Sequence, residues 1–109
     1  MKYNNSDIGG SVIKNDDTYK IIDNTMLTRL VLSQTILHPQ KSTRGHSHPG
    51  QEEIYCFISG SGTMEVGEDV YQVKLGDIIL VPDGAFHRVH NTSQQDLIFN
   101  CVFEGDRNH

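Results

Sequence analysis

The sequence predicts an all-β chain folded as one antiparallel β-barrel domain, on three observations. Apolar segments recur as short runs of about four to eight residues rich in Ile, Val, Phe and Tyr, the length and composition of strands. Each run is bounded by Gly, Pro, Asp or Asn, the residues that turn a chain. No stretch of helical length carries a sustained 3.6-residue period with caps at its ends.

Residues 1–25 are polar and poorly periodic, with Asn15-Asp16-Asp17 and Asp23-Asn24 among them, and read as a loosely held arm or edge strand. Residues 26–109 form the barrel domain, which begins with the run at 30–37. The run at 54–58 ends in Ser59-Gly60-Ser61-Gly62, and that at 63–66 in Gly67-Glu68-Asp69. The run at 70–73 follows; that at 78–81 stops at Pro82-Asp83-Gly84, and that at 86–89 at His90-Asn91-Thr92-Ser93. The run at 97–103 closes the series. Most of these runs are apolar on both parities, the pattern of strands packed between an interior and a second sheet or subunit.

With 109 residues the chain has the size of a single domain. Its hydrophobic fraction of 36% supplies a core, and its net charge of −5 disfavours a phosphate backbone as partner. The amino terminus, Met1 to Asp7, has no apolar stretch behind it and is not a signal peptide, and no run approaches a membrane span. A cytoplasmic protein with neither nucleic acid nor membrane as partner is expected. Cys56 and Cys101 fall inside apolar runs and read as small buried thiols.

Chemistry concentrates in the histidines, 6 in all. On an extended strand His46 and His48 point the same way, about 6–7 Å apart, so both imidazoles can reach one ion. Glu52-Glu53 follows Pro49-Gly50 and brings carboxylates to the mouth of the next strand. Alternation places Glu53, Tyr55 and Phe57 on one face and Glu52, Ile54 and Cys56 on the other, without saying which is interior. His87 and His90 lie on a distant run, and ligands from separate segments are the usual construction of a metal site.

The pattern His46-x-His48-x4-Glu53-x6-Gly60 resembles the first motif of the cupin superfamily. Gly76-x5-Pro82-x-Gly84-x2-His87-x3-Asn91 resembles the second at each of its fixed positions. One position departs: Gln40 stands where the first motif begins with a glycine, although Gly45 lies nearby. The resemblance implies a jelly-roll-like, double-stranded β-helix fold. It also implies one divalent transition metal (Fe, Mn, Ni, Co or Zn) held by His46, His48, Glu53 and His87. The Glu-x6-Gly spacing selects Glu53 over Glu52, and the parity of His90 turns it away from the ion. Gly60, Gly76 and Gly84 suit turns with positive φ, and Pro82 a strand end without a ladder donor.

Three imidazoles and one carboxylate leave two positions open on a six-coordinate ion, which suits catalysis or ligand binding more than structure. Tyr55 shares the ligand face, Arg44 suits an anionic group, and Gln34 and Asn100 interrupt apolar strands as polar side chains. These four are the expected substrate-binding residues. The resemblance to small mannose-6-phosphate-isomerase-like cupins implies an enzyme acting on a small oxygenated substrate, such as a sugar or sugar phosphate. The alternatives are an Fe-dependent dioxygenase and a non-catalytic ligand-binding cupin. A homodimer is expected, with the 1–25 arm crossing to the partner.

Overall fold

The apolar runs become strands in a computed structural model that describes residues 1–105. The first five are β1 (Ser11–Asn15), β2 (Tyr19–Asn24), β3 (Leu30–Leu37), β4 (Glu53–Ser59) and β5 (Ser61–Val66). β6 (Asp69–Lys74), β7 (Ile78–Val81), β8 (His87–His90) and β9 (Leu97–Glu104) complete the set. The described residues contain no helix, and none therefore that could cross a membrane. The expected all-β class and its jelly-roll arrangement hold. Antiparallel strands form one sheet in the order β1-β2-β3-β9-β4-β7 and a second in the order β6-β5-β8.

Residues 1–25, expected as an arm or edge strand, contribute β1 and β2. β1 is the outermost strand of the larger sheet, while β2 pairs with β3 along its length, from Tyr19↔Leu37 to Asn24↔Leu32. Between them Asp16 Oδ1 accepts the backbone N–H groups of Thr18 at 2.9 Å and Tyr19 at 3.0 Å. Donation from Tyr19, then from Thr18, holds the Asp16 carboxyl below its ordinary pKa. The last four residues of the expected 26–109 domain lie outside the described residues.

Alternation decides the interior. Glu53, Tyr55 and Phe57 on β4 are buried together with Phe99, Cys101 and Phe103 on β9, opposite Met64, Val66 and Val89 of the smaller sheet. The other parity faces outward, with Ile54, Ile78 and Leu80 exposed. Runs that were apolar on both faces are thereby split into a core face and an outer face.

Two turns show backbone demands at motif positions. Gly60 has φ +87, and a Cβ there would stand 2.5 Å from the Asp96 carbonyl oxygen, so both conformation and contact require glycine. Gln40, at the position where the cupin motif carries glycine, is the one non-glycine residue with positive φ among the described residues, at 64°. Its side-chain Nε2 donates to the carbonyls of Thr92 at 3.1 Å and Ser93 at 2.9 Å. Those bonds offset the left-handed strain of about 1–2 kcal/mol.

The expected histidine strand is corrected. Residues 43–52 lie outside the named strands, and His46 joins His87 through a single antiparallel bridge. Gly45 at φ +79 and Gly50 at φ +87 break extension on either side. The segment is held instead by loop pairing: Thr43 N donates to Val89 O at 2.8 Å, Val89 N to Thr43 Oγ1 at 2.9 Å, and Arg88 Nε to Thr43 O at 2.8 Å.

Candidate metal centre

Separate segments bring the polar cluster together. β4 begins at Glu53 and β8 at His87, and both side chains point into the space between the sheets, each 3% exposed. The bridge places His46 against His87 through reciprocal backbone bonds, His46 N to His87 O at 3.1 Å and His87 N to His46 O at 3.0 Å. His46, Glu53 and His87 each offer one ligand atom, and those atoms all lie within 4.8 Å of one another. The His48 ring lies beside this group, its centroid 4.5 Å from that of His46, but His48 is not among the three residues whose ligand atoms lie within that spacing. The Nε2 atoms of His46, His48 and His87 are all shielded from solvent.

The donor set fits a divalent ion. His87 Nδ1 lies 3.0 Å from the Ala85 carbonyl, which can only accept a hydrogen bond, so Nδ1 carries a hydrogen and Nε2 is the nitrogen left to face Glu53. Nε2 then stands 2.9 Å from Glu53 Oε2, and such a pair shares either a proton or a metal ion. Imidazole and carboxylate without thiolate suit Fe, Mn, Co, Ni or Zn. Glu53 Oε1 accepts from the Cys101 thiol at 3.1 Å.

Glu52 is exposed, on the other parity from Glu53. His90 faces outward, with Nε2 at 2.5 Å from Glu65 Oε2 and Nδ1 at 2.7 Å from Ser42 Oγ.

A cavity of about 70 Å³ adjoins the cluster, lined by His46 and His87 with Tyr55, Thr35, Phe99, Thr43, Tyr19, Ile21, Arg44 and Lys14. Tyr55 packs edge-on to His87 with ring centroids 5.7 Å apart and tilts against Phe99 at 5.5 Å. Arg44 is exposed at the mouth. Of the four expected substrate residues, Tyr55 and Arg44 are brought to this cavity.

Gln34 and Asn100 are not. Paired in register, they occupy the outer face of the sheet, where Gln34 Nε2 donates to Asn100 Oδ1 at 3.0 Å. The same amides bond Asn5, Gln34 Nε2 to its carbonyl at 2.9 Å and Asn100 Nδ2 to its Oδ1 at 3.0 Å. They pin the N-terminal segment to the sheet.

Lys14 went unnoticed in the sequence because it sits in a polar segment with no distinguishing pattern. A β-bulge between Val12 and Lys14 sets Lys14 opposite Ile21, on the cavity face. A larger cavity of about 370 Å³, lined by Met1, Tyr3, Met26, Leu27 and neighbours, has no titratable side chain besides the Tyr3 phenol and lies away from the cluster.

Known proteins give the arrangement a family. Residues 33–103 match the model of the cupin domain. The chain is 37% identical over 67 residues to an oxalate-binding protein of Thermotoga maritima, covering 61% of this chain and 54% of that protein. It is 31% identical over 93 residues to a glucose-6-phosphate isomerase of Thermococcus kodakarensis, covering 73% and 49%. A solved structure described as a predicted oxalate decarboxylase from Thermotoga maritima superposes with TM-score 0.75 at 25% identity, covering 95% of this chain and 98% of that one. The chain spans about half the length of the curated relatives it matches. A family match over most of the chain, on a fold that gathers His46, Glu53 and His87 at one point, makes this chain a member of the cupin domain family.

Proposed function

We propose that this cupin holds one divalent transition metal through His46, His48, Glu53 and His87, and acts there on a short carboxylic acid with a second oxygen donor. The observation that carries the reading is the buried ligand cluster opening into a cavity of about 70 Å³ with Arg44 and Lys14 among its lining. Pockets for drug-sized ligands hold about 300 Å³ or more, and 70 Å³ has room for about two waters or a fragment of a few heavy atoms. On the His46 and His87 side, that volume favours an oxalate-sized acid over the sugar phosphate suggested by the isomerase resemblance. Similarity to an oxalate-binding protein supports the same choice.

A bound ion would supply Lewis acidity, polarising an oxygen of the substrate. The chain supplies the rest. Arg44 and Lys14 attract and orient the anionic group. Tyr55 and Phe99 wall the cavity and limit water, and Thr35 offers a hydroxyl from β3. Lys14 also lies 5.5 Å from the Tyr19 ring centroid, which restrains it on the cavity side.

Calorimetric titration of the Mn(II)-loaded protein tests the reading. Oxalate or glyoxylate should bind with a metal-dependent signal, and glucose 6-phosphate should bind more weakly. Arg44→Ala should weaken oxalate by about three- to tenfold, a modest factor because an exposed cation is screened by solvent. Tighter binding of the sugar phosphate would return the isomerase reading. Oxygen uptake by the Fe(II)-loaded protein with substrate would favour the dioxygenase alternative.

A homodimer is part of the same proposal. Ile54, Ile78, Leu80 and Leu30 expose 43%, 64%, 67% and 46% of their surface on the outer face of the large sheet, an apolar patch suited to self-association. Light scattering at micromolar concentration should give twice the monomer mass, and Leu80→Asp should halve it. A monomeric wild type would end this part of the proposal. Cys56 and Cys101 are thiols, on opposite faces of the sheet.

A further inference from the structure

Glu53 is the single carboxylate of the cluster, and its two oxygens have different neighbours. Oε2 faces His87 Nε2 at 2.9 Å, while Oε1 accepts from Cys101 Sγ at 3.1 Å. Cys101 comes from the middle of β9, opposite Tyr55 and diagonal to Glu53 across the β4–β9 pair. Both side chains are buried, Glu53 at 3% and Cys101 at 5% exposure. A carboxylate so buried is costly unless its oxygens are hydrogen-bonded, and its rotamer follows whichever donors it meets.

We propose that Cys101 is a positioning residue whose thiol holds Glu53 by Oε1, so that Oε2 alone is offered to the metal. The inference rests on the metal reading above. Its consequence lies in coordination number. A carboxylate binds an ion through one oxygen or two. With three imidazoles on a six-coordinate ion, one oxygen leaves two positions open, and two oxygens leave one. A substrate that chelates through adjacent oxygens needs both open positions. The Cys101 thiol thus keeps the site able to accept a chelating acid.

The residue type suits the task. A thiol is a weak donor, so it orients the carboxylate while withdrawing little of the charge that binds the ion. Its sulfur also packs as a small hydrophobe, and Cys101 belongs to the apolar core with Tyr55, Phe99 and Phe103. In sequence Cys101 looked like an inert core thiol. Only the β4–β9 register brings it to Glu53.

The test compares Cys101→Ser, which keeps a donor, with Cys101→Val, which removes the donor and preserves the bulk. Cys101→Ala serves as a second donorless variant should the valine disturb folding. Each is loaded with Co(II), whose visible absorption reports coordination number, and its affinity is measured by chelator competition. Oxalate is then titrated against the absorption. The donorless variants should change the Co(II) spectrum toward higher coordination and shift metal affinity by about tenfold. They should also lose the oxalate-induced spectral change, while Cys101→Ser keeps the wild-type spectrum. A wild-type spectrum and oxalate response in Cys101→Val or Cys101→Ala would overturn the inference. So would equal changes in the serine and donorless variants, which would mean that Cys101 only packs. Failure of wild-type protein to take up Co(II) would instead remove the metal reading, and this inference with it.

Discussion

Replacing His87 with alanine should strip the protein of its metal. His87 presents Nε2 to the centre of the cluster, at 2.9 Å from Glu53 Oε2, and its Nδ1–H is committed to the Ala85 carbonyl. Loss of a supporting neighbour costs metal affinity about 10–100-fold, and loss of a direct ligand should exceed that range. His46→Ala should do the same, since His46 belongs to the same group of ligand atoms. His90→Ala should leave metal content unchanged, because His90 is occupied with Glu65 and Ser42 on the other face of β8. Elemental analysis after dialysis reads all three. Stability gives a second readout: an ion at about a hundred times its Kd raises wild-type stability by about 2.7 kcal/mol, and His87→Ala should forfeit that gain. Equal metal loss in all three variants would contradict the observed facing of β8.

Phe57→Ala should produce the largest loss of stability, about 3–5 kcal/mol. Phe57 is 2% exposed, and its ring centroid lies 5.4 Å from that of Phe99 on the neighbouring strand. Truncation removes the apolar burial and leaves a cavity that two stiff sheets cannot close. Domains are stable by about 5–15 kcal/mol, so the change consumes much of the margin. Urea unfolding of the metal-free protein measures it, with the midpoint falling and the slope unchanged. A loss under about 1 kcal/mol would mean that the core between β4 and β9 is looser than its burial indicates.

The candidate cluster of His46, Glu53 and His87 was legible because a metal site constrains spacing as well as residue type. Glu53 was separable from Glu52, and His87 from His90, through motif spacing and strand parity; in the structure Glu53 and His87 are buried, Glu52 is exposed and His90 is half-buried. The secondary structure was legible for the same reason, as strand-length apolar runs leave few alternatives. The path through the histidines was not. His46 and His48 converge through a loop bent at Gly45 and Gly50, and periodicity describes extended chain only.

Gln34 and Asn100 show a further boundary. A polar side chain interrupting an apolar strand signals that it has partners, but not on which face of the sheet. Here the partner is Asn5, far away in sequence, and the pair serves the N-terminal segment. Gln40 shows the converse: a left-handed turn was formed without the motif glycine, through side-chain bonds to Thr92 and Ser93.

By itself the sequence determined the fold class and the family and marked the candidate metal ligands, because each is written in local spacing and composition. Only the tertiary structure decided which parity of the two-sided apolar strands is interior, that a cavity of about 70 Å³ adjoins His46 and His87 with Lys14 in its lining, and that Cys101 reaches Glu53. Those features arise where strands distant in sequence pair in a particular register, and register is set by packing of the whole sheet rather than by any one segment.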